Sequence, residues 1–280
     1  MPAYTLGLSP CPNDTFIFHA LLHGLVPSPC QLTPHLADVE ELNTLVARKV
    51  PEFSKISVGE LVRSHQHYAM LSAGAALGFG CGPLLVARKG TPDETLRSGC
   101  IAIPGQMTTA NLLLTLTGAF QGERREMLFS NVIDAVADGE VDLGVIIHEG
   151  RFTYAQKGLV KVLDLGEWWE KTYHLPLPLG GIVVRRDISE SLASAMEQAI
   201  AESLRYARAH PAASRAYIRA HAQELSDAVI DAHIQTFVTD FSLDLGKEGR
   251  AAVTHLLSEA LARTGQRLPE KGFFVRGEAE

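Results

Sequence analysis

The stretch VDLGVIIHEG, residues 141–150, gives the first indication of the fold and of the site. Residues 141–147 are mostly apolar and rich in β-branched side chains, which is typical of a strand covered on both faces. The run stops at His148, and a turn residue, Gly150, follows two positions later. In open α/β sheets, ligands bind beyond the carboxyl ends of such strands. His148 is therefore predicted to lie in a binding cleft, where an imidazole can exchange a proton near neutral pH.

Composition narrows the class of protein. The chain has 280 residues, 46% of them hydrophobic, and a net charge of -7, which argues against nucleic acid as the main partner. A small anionic substrate stays open, because local charge in a cleft can oppose the global sign. We expect no membrane insertion, since no apolar run is long enough, and we find no secretory signal. Four cysteines without C-x-x-C spacing favour a reducing cytoplasm. The sequence leaves the oligomeric state open.

Strand and helix patterns alternate along most of the chain, which predicts an α/β protein with a largely parallel sheet. Residues 175–181, LPLPLGG, are predicted to interrupt this pattern. Predicted strands cover residues 4–8, 32–37, 53–56, 83–88, 100–103, 126–129, 141–147, 160–163 and 182–185. Predicted helices cover residues 15–23, 39–49, a segment starting near 57, 109–117, 131–138, 189–209, 211–221, 226–239 and 247–264.

Two apolar strands, residues 84–87 and 182–184, are predicted to cross between two lobes and to act as a hinge. One lobe would be discontinuous and contain residues 1–87 and 182–280. The other would contain residues 88–181. A cleft between two such lobes is a common ligand site.

The segment FSKIS, residues 53–57, has two interpretations. Ser57 and Glu60 have the spacing of a helix capping box, in which case Ser57 only caps and Lys55 is only solvated. Alternatively, Lys55 and the first N–H groups of the following helix bind an anion. The spacing favours neither interpretation.

The segment IPGQMTTAN, residues 103–111, leads from a strand into a helix. Thr108 or Thr109 is expected to be the N-cap, as is common for threonine at this place. The same hydroxyl and N–H groups are also suited to bind a carboxylate or a sugar hydroxyl.

Other residues are weaker candidates. The turn containing Cys11, Asn13 and Asp14 also follows a predicted strand, so Asn13 and Asp14 are further candidates for substrate contact. His19 and His23 share a helix face, but a metal site needs a third ligand, so we predict no metal site. The sequence has no P-loop and no G-x-G-x-x-G motif, and nothing in it requires a metal or an organic cofactor.

Four segments taken together resemble a known family. They are GLSPCPNDTFIFHAL (residues 7–21), FSKISVGEL (53–61), GQMTTANLLL (105–114) and DLGVIIHEGRFTY (142–154). In this order and spacing they closely resemble the 1,4-dihydroxy-6-naphthoate synthases of the futalosine route to menaquinone. The resemblance runs from near the start of the chain to beyond residue 181; residues 9–16 and 146–151 are specific to the family, whereas the helical tail is not.

The resemblance implies a two-lobed fold similar to type II periplasmic binding proteins, with a central cleft and two hinge crossings. It implies a cofactor-independent lyase that converts cyclic dehypoxanthinyl futalosine to 1,4-dihydroxy-6-naphthoate and releases a small sugar-derived fragment. His148 would be the proton acceptor. The substrate-binding positions would be Lys55, Ile56, Ser57, Thr109 and Ala110. Thr108, Asn13 and Asp14 are further candidates from the residue patterns alone.

Two alternatives remain at this point. One is a chorismate dehydratase, a relative in the same pathway with the same fold. The other is a solute-binding or sensor protein that closes on an anion without catalysing a reaction, although the missing secretory signal counts against an exported receptor.

Overall fold

Residues 3–222, 226–265 and 268–275 are described by a computed structural model, and in them strands and helices alternate as predicted. The strands are β1 Ala3–Leu8, β2 Gln31–Leu36, β3 Phe53–Ser57, β4 Tyr68–Met70, β5 Ala76–Gly78, β6 Leu84–Arg88, β7 Ile101–Ile103, β8 Arg124–Glu126, β9 Leu143–Ile146, β10 Leu159–Asp164 and β11 Leu177–Arg185. The α-helices are α1 Pro12–Leu22, α2 Val39–Ala47, α3 Leu61–Ser64, α4 Asp93–Ser98, α5 Thr109–Thr117, α6 Val132–Ala137, α7 Gly150–Thr153, α8 Leu165–Tyr173, α9 Glu190–Ala209, α10 Arg215–His221, α11 Asp227–Phe237 and α12 Gly246–Arg263.

The first sheet has the order β2-β1-β3-β11-β4, and β5 pairs with β11. Strand β1 is parallel to β2 and β3, whereas β11 is antiparallel to β3, β4 and β5. Its buried face carries Leu6, Phe53 and Ile182, which pack with Phe18 of α1 and Ile200 of α9 in one apolar core. Helices α1 and α9 therefore cover this face of the sheet. Packing against the sheet and α9 sets the direction of α1.

The second sheet has the order β10-β6-β9-β7-β8. Strand β7 is parallel to β8 and β9, whereas β6 is antiparallel to β9 and β10. Val86 and Ile146 of this sheet pack with Val132 and Val136 of α6. Strand β9 ends at Ile146, and the turn that carries His148 follows directly.

Two predictions about the strands are wrong. The sheets are mixed rather than largely parallel, because β6, β10 and β11 run against their neighbours. Residues 175–181 do not interrupt the pattern, because β11 already begins at Leu177. Gly181 lies inside this strand, where a Cβ atom would meet Cε of Met70 at 2.1 Å, so glycine allows close packing here rather than a turn.

The chain enters the second sheet between β5 and β6 and returns to the first sheet between β10 and β11. Two passages between the sheets are thus present, as expected for a two-lobed protein. Helix α8 occupies most of the returning passage. The exact division into residues 1–87 with 182–280 and residues 88–181 stays a prediction.

Several element boundaries differ from the predicted ones. Helix α1 begins at Pro12 rather than at residue 15, because proline is well tolerated in the first turn of a helix. The strand predicted at residues 126–129 is instead β8, Arg124–Glu126, followed by a 3-10 helix at Phe129–Asn131. Asp38 is the N-cap of α2, since its side chain accepts a hydrogen bond from the Glu40 N–H at 2.9 Å.

Within the residues that the structure describes, none of the helices has both the length and the apolar character needed to cross a membrane. The cytoplasmic location stays a prediction.

Gly82→Ala is expected to lower the free energy of unfolding by about 3 kcal/mol, because the added methyl group would overlap backbone that no side-chain rotation can move. A Cβ atom on Gly82 would lie 2.3 Å from the Cα and N atoms of Gly166. Urea unfolding measures the effect. Gly150→Ala is the control, since its Cβ would meet the flexible Cδ1 of Ile133 at 3.3 Å and Cβ of Ile146 at an ordinary contact distance of 3.5 Å. An equal loss in both variants would contradict this prediction.

Candidate active site

A cavity of about 670 Å³, its open mouth included, lies where the two sheets face each other. This volume is within the range of sites for small molecules. The first sheet contributes the carboxyl end of β3 and the first half of β11, and the second contributes the start of α5 and the turn after β9. The lining residues are Ser9, Asn13, Val39, Lys55, Ile56, Ser57, Ala76, Cys81, Gly82, Pro83, Thr108, Thr109, Ala110, Ile147, His148, Arg151, Leu179, Gly180 and Phe237.

His148 lies in this cavity, two residues beyond the end of β9. Its φ angle is 53°, in the left-handed region. A non-glycine residue pays about 1–2 kcal/mol for this conformation, and such strain is often found at functional sites. The strained backbone breaks the alternation of the strand, so that the imidazole and neighbouring Ile147 both line the cavity.

Three side chains from separate segments surround the imidazole of His148. The Cys11 thiol lies 3.5 Å from Nδ1, which leaves Nε2 as the ring nitrogen for a ligand. The Phe129 ring lies 4.9 Å away between centroids, and the His233 ring stacks on it at 5.9 Å with an angle of 5° between the planes. Burial lowers the pKa of His148 to about 4; the nearby Asp14 carboxylate opposes this shift and Lys55 adds to it. The imidazole is therefore uncharged at neutral pH.

Lys55 and Asp14 form a buried ion pair, with 2.7 Å between Nζ and Oδ1. The same carboxylate oxygen accepts a hydrogen bond from the side-chain amide of Asn13 at 2.8 Å. The other oxygen accepts hydrogen bonds from the N–H and the hydroxyl of Ser9, at 3.1 and 2.8 Å. Lys55 and Asn13 line the cavity, whereas Asp14 has no exposed surface and lies behind them.

His233 was not among the residues predicted for the site. It belongs to α11, has no exposed surface, and its Nε2 lies 2.9 Å from Oδ1 of Asn13. Its Nδ1 lies 3.8 Å from a carboxylate oxygen of Glu149, the residue after His148. The spacing of His233 relative to Ile230 and Phe237 places it on the buried face of α11, and this pattern is present in the sequence. The pattern does not indicate which residues His233 contacts.

Ser57 does not form the predicted capping box. Its hydroxyl accepts a hydrogen bond from the side-chain amide of Asn43 at 3.2 Å, and its N–H donates to Oδ1 of Asn43 at 2.9 Å. Among the residues that the structure describes, nothing accepts the Ser57 hydroxyl proton. Because the hydroxyl lines the cavity, this proton is available to a ligand.

The start of α5 also faces the cavity. Thr108 is the N-cap, since its hydroxyl accepts a hydrogen bond from the Asn111 N–H at 3.2 Å. The Thr109 hydroxyl accepts from the Gly59 N–H at 3.0 Å and donates to the Leu179 carbonyl at 2.7 Å, so it links α5 to the first sheet. The N–H groups of the first helical turn have no acceptor within the helix. They and the helix dipole favour an anion or a hydroxyl at this end of the cavity.

Arg151 is a second cation of the cavity that the sequence reasoning missed. It donates from Nη1 to the Gly82 carbonyl at 2.7 Å, and its Nη2 lies 3.9 Å from a carboxylate oxygen of Asp164. The cavity thus contains two cationic side chains, each with a carboxylate nearby.

In residues 3–222, 226–265 and 268–275, no three His, Cys, Asp or Glu side chains are grouped in a way that could hold a metal ion. His19 and His23 do share a face of α1, with 4.4 Å between ring centroids.

The sequence matches a protein family across most of its length. A family model described as menaquinone biosynthesis matches residues 4–262, which contain every residue assigned to the cavity. The chain belongs to this menaquinone biosynthesis family.

Two relatives are similar over nearly the whole chain. A 1,4-dihydroxy-6-naphthoate synthase from Thermus thermophilus is 50% identical over 264 residues, which cover 94% of this chain and 96% of the relative. A second protein of that name, from Streptomyces coelicolor, is 43% identical and covers 94% of this chain and 95% of the relative.

Solved structures show the same fold. A crystal structure of a protein from Archaeoglobus fulgidus is 35% identical, with a TM-score of 0.87 over 94% of this chain and 98% of that one. The ligand-binding component of an ABC-type import system from Staphylococcus aureus is 13% identical, with a TM-score of 0.73 over 99% and 97%. The predicted two-lobed fold, similar to periplasmic binding proteins, is confirmed.

The free energy of unfolding is expected to decrease as the pH is lowered from 6.5 to 4, partly because of His148. In this window the unfolded chain binds a proton at His148 and the folded protein does not, since the pKa in the fold is about 4. One such proton lowers stability by about 1.4 kcal/mol per pH unit as the pH decreases.

His148→Asn is therefore expected to reduce this slope by the equivalent of one proton, which urea unfolding at several pH values measures. Equal slopes for the variant and the wild-type protein would contradict the low pKa.

Proposed function

We propose that the protein is a lyase that converts cyclic dehypoxanthinyl futalosine to 1,4-dihydroxy-6-naphthoate. The observation that carries this proposal is an uncharged imidazole, His148, in a cavity between the two sheets. The name shared by the two relatives supports the choice of reaction. The wall positions named by the resemblance, Lys55 to Ser57 and Thr109 to Ala110, all line this one cavity, which supports the choice of site.

His148 is the base in this proposal. Its Nε2, which the contact between Cys11 and Nδ1 leaves free for a ligand, accepts a proton from carbon of the bound substrate. Cleavage of a carbon–carbon and a carbon–oxygen bond follows, and formation of the aromatic naphthalene drives the release of the sugar-derived fragment. The reaction as proposed needs no metal or organic cofactor.

Charge and hydrogen bonds at the wall orient the substrate. Lys55 and the first N–H groups of α5 attract its carboxylate and hydroxyls, and Ser57 donates its hydroxyl proton. Ile56, Ala110 and Leu179 provide apolar surface for the ring system. This arrangement keeps the acidic C–H group near the base, which lowers the entropic part of the barrier.

Contacts between the two sides of the cavity exclude water from the reaction. Besides the Thr109 links, the carboxylate of Glu40 in α2 accepts a hydrogen bond from the Met107 N–H at 2.9 Å. Opening and closing of these contacts would admit substrate and release product.

His148→Asn is expected to lower kcat by about 10²–10⁴-fold, the usual contribution of a positioned base, while the fold is retained. Product formation is followed by the absorbance of the naphthoate, and circular dichroism checks the fold. Calorimetry is expected to show that the variant still binds the substrate, because the wall residues are unchanged.

The wild-type protein with chorismate is the control for the related dehydratase reaction, and we expect no turnover. Turnover of chorismate, or tight binding of the cyclic substrate without product over hours, would contradict the proposed reaction. A His148→Asn variant that is as fast as the wild-type protein would contradict only the assignment of the base.

Ser57→Ala is expected to raise KM about 5- to 30-fold with little change in kcat, because one hydrogen bond to the substrate is lost. Ser54→Ala is the matched control, since Ser54 is on the same strand, is buried and does not line the cavity. Steady-state kinetics measure both. Equal KM values for Ser57→Ala and Ser54→Ala would show that the Ser57 hydroxyl does not bind substrate.

A further inference from the structure

We propose that His233 is a positioning residue, whose ring supports His148 from behind while its Nε2–H group holds Asn13 beside the Lys55–Asp14 pair. The role in turnover rests on the proposed function. The side chain of His233, which belongs to the carboxyl-terminal helices, makes two contacts that support this role.

The first contact is the ring stack. His148 and His233 are nearly parallel, with 5° between their planes and 5.9 Å between centroids. Phe129 packs against His148 at 4.9 Å and Phe237 packs against His233 at 4.6 Å. The imidazole of His148 is thus supported by a stack of rings, which restricts its rotation and excludes water from that side.

The second contact is the hydrogen bond with Asn13. The amide nitrogen of Asn13 donates to Asp14, so its Oδ1 faces His233 as an acceptor. Nε2 of His233 must therefore carry the proton. Asn13 then connects His233 to a carboxylate that also binds Lys55, so a shift of His233 would be transmitted to the cavity wall.

The charge of His233 matters for both contacts. Burial lowers its pKa well below the ordinary value, and the nearby His148 and Lys55 lower it further. The other titratable groups around it are Glu149, with its carboxylate 3.8 Å from Nδ1, and Cys11 and Asp14 at the start of α1. An uncharged His233 does not repel His148 when the latter takes up a proton from substrate. A cation at this place would oppose that step.

A simpler interpretation is that His233 is a buried histidine that only stabilises α11. Two substitutions separate the two roles. Phenylalanine keeps a ring at the stack and removes the Nε2–H donor, whereas glutamine keeps a donor at nearly the position of Nε2 and removes the ring. If the role of His233 were purely structural, both variants would change the unfolding temperature. They would not differ from each other in their effects on KM, kcat and the titration of His148.

The experiment compares His233→Phe and His233→Gln by steady-state kinetics and by NMR titration of His148. His233→Phe is expected to raise KM about tenfold, with the titration midpoint of His148 unchanged, because Asn13 loses its anchor. His233→Gln is expected to lower kcat about tenfold or more and to raise that midpoint by about one pH unit, because water reaches the imidazole. Ile234→Val is the control for changes in α11, because Ile234 is on the same helix, is half-buried and packs against the apolar core.

Asn13→Ala is a second test in case either exchange prevents folding. It releases the ring of His233 without altering it, so both KM and the His148 midpoint are expected to rise. Changes in unfolding temperature alone, or equal kinetic losses in His233→Phe and His233→Gln, would overturn the proposal. The titration of His148 needs no substrate, so it tests His233 even if the wild-type protein fails to convert the cyclic compound, a result that would overturn the proposed function instead.

Discussion

The geometry of the cavity depends on one buried ion pair, Lys55 with Asp14. A carboxylate without exposed surface is stable only when its charge and its lone pairs are matched, and here a cation and three further hydrogen bonds do this. Removal of one partner from such a pair typically costs about 3–5 kcal/mol. The carboxylate therefore holds the turn at Ser9 and the start of α1 to β3, whose Lys55 is 41 positions after Asp14 in the sequence.

The same carboxylate links the base to the rest of the molecule. Asn13 donates to Asp14 and accepts from His233, and the ring of His233 stacks on His148. A salt bridge, an amide and two uncharged rings thus form one continuous arrangement across both sides of the cavity. The carboxyl-terminal helices, which carry no motif of the family resemblance, take part in the site through α11.

Local patterns predicted much of the fold. The bounds of α5 agree with the prediction at residues 109–117, and the apolar run before His148 is indeed a buried strand end. The antiparallel course of β11 was missed, because buried strands have the same composition in either direction. Ser57 was expected to cap a helix in one interpretation of residues 53–57, and its hydrogen-bond partner is instead Asn43, 14 positions earlier. No spacing rule covers such a pair.

By itself, the sequence determined the α/β class, the position of His148 after a strand, and the family, because strand periodicity, turn residues and motifs are local properties of the chain. The tertiary structure alone decided which groups surround that imidazole. Cys11 and His233 are 137 and 85 positions away from it, and only the packing of α1 and α11 on the first sheet brings them to its ring. Burial then sets the charge of both histidines, and burial is a property of the whole fold rather than of any segment.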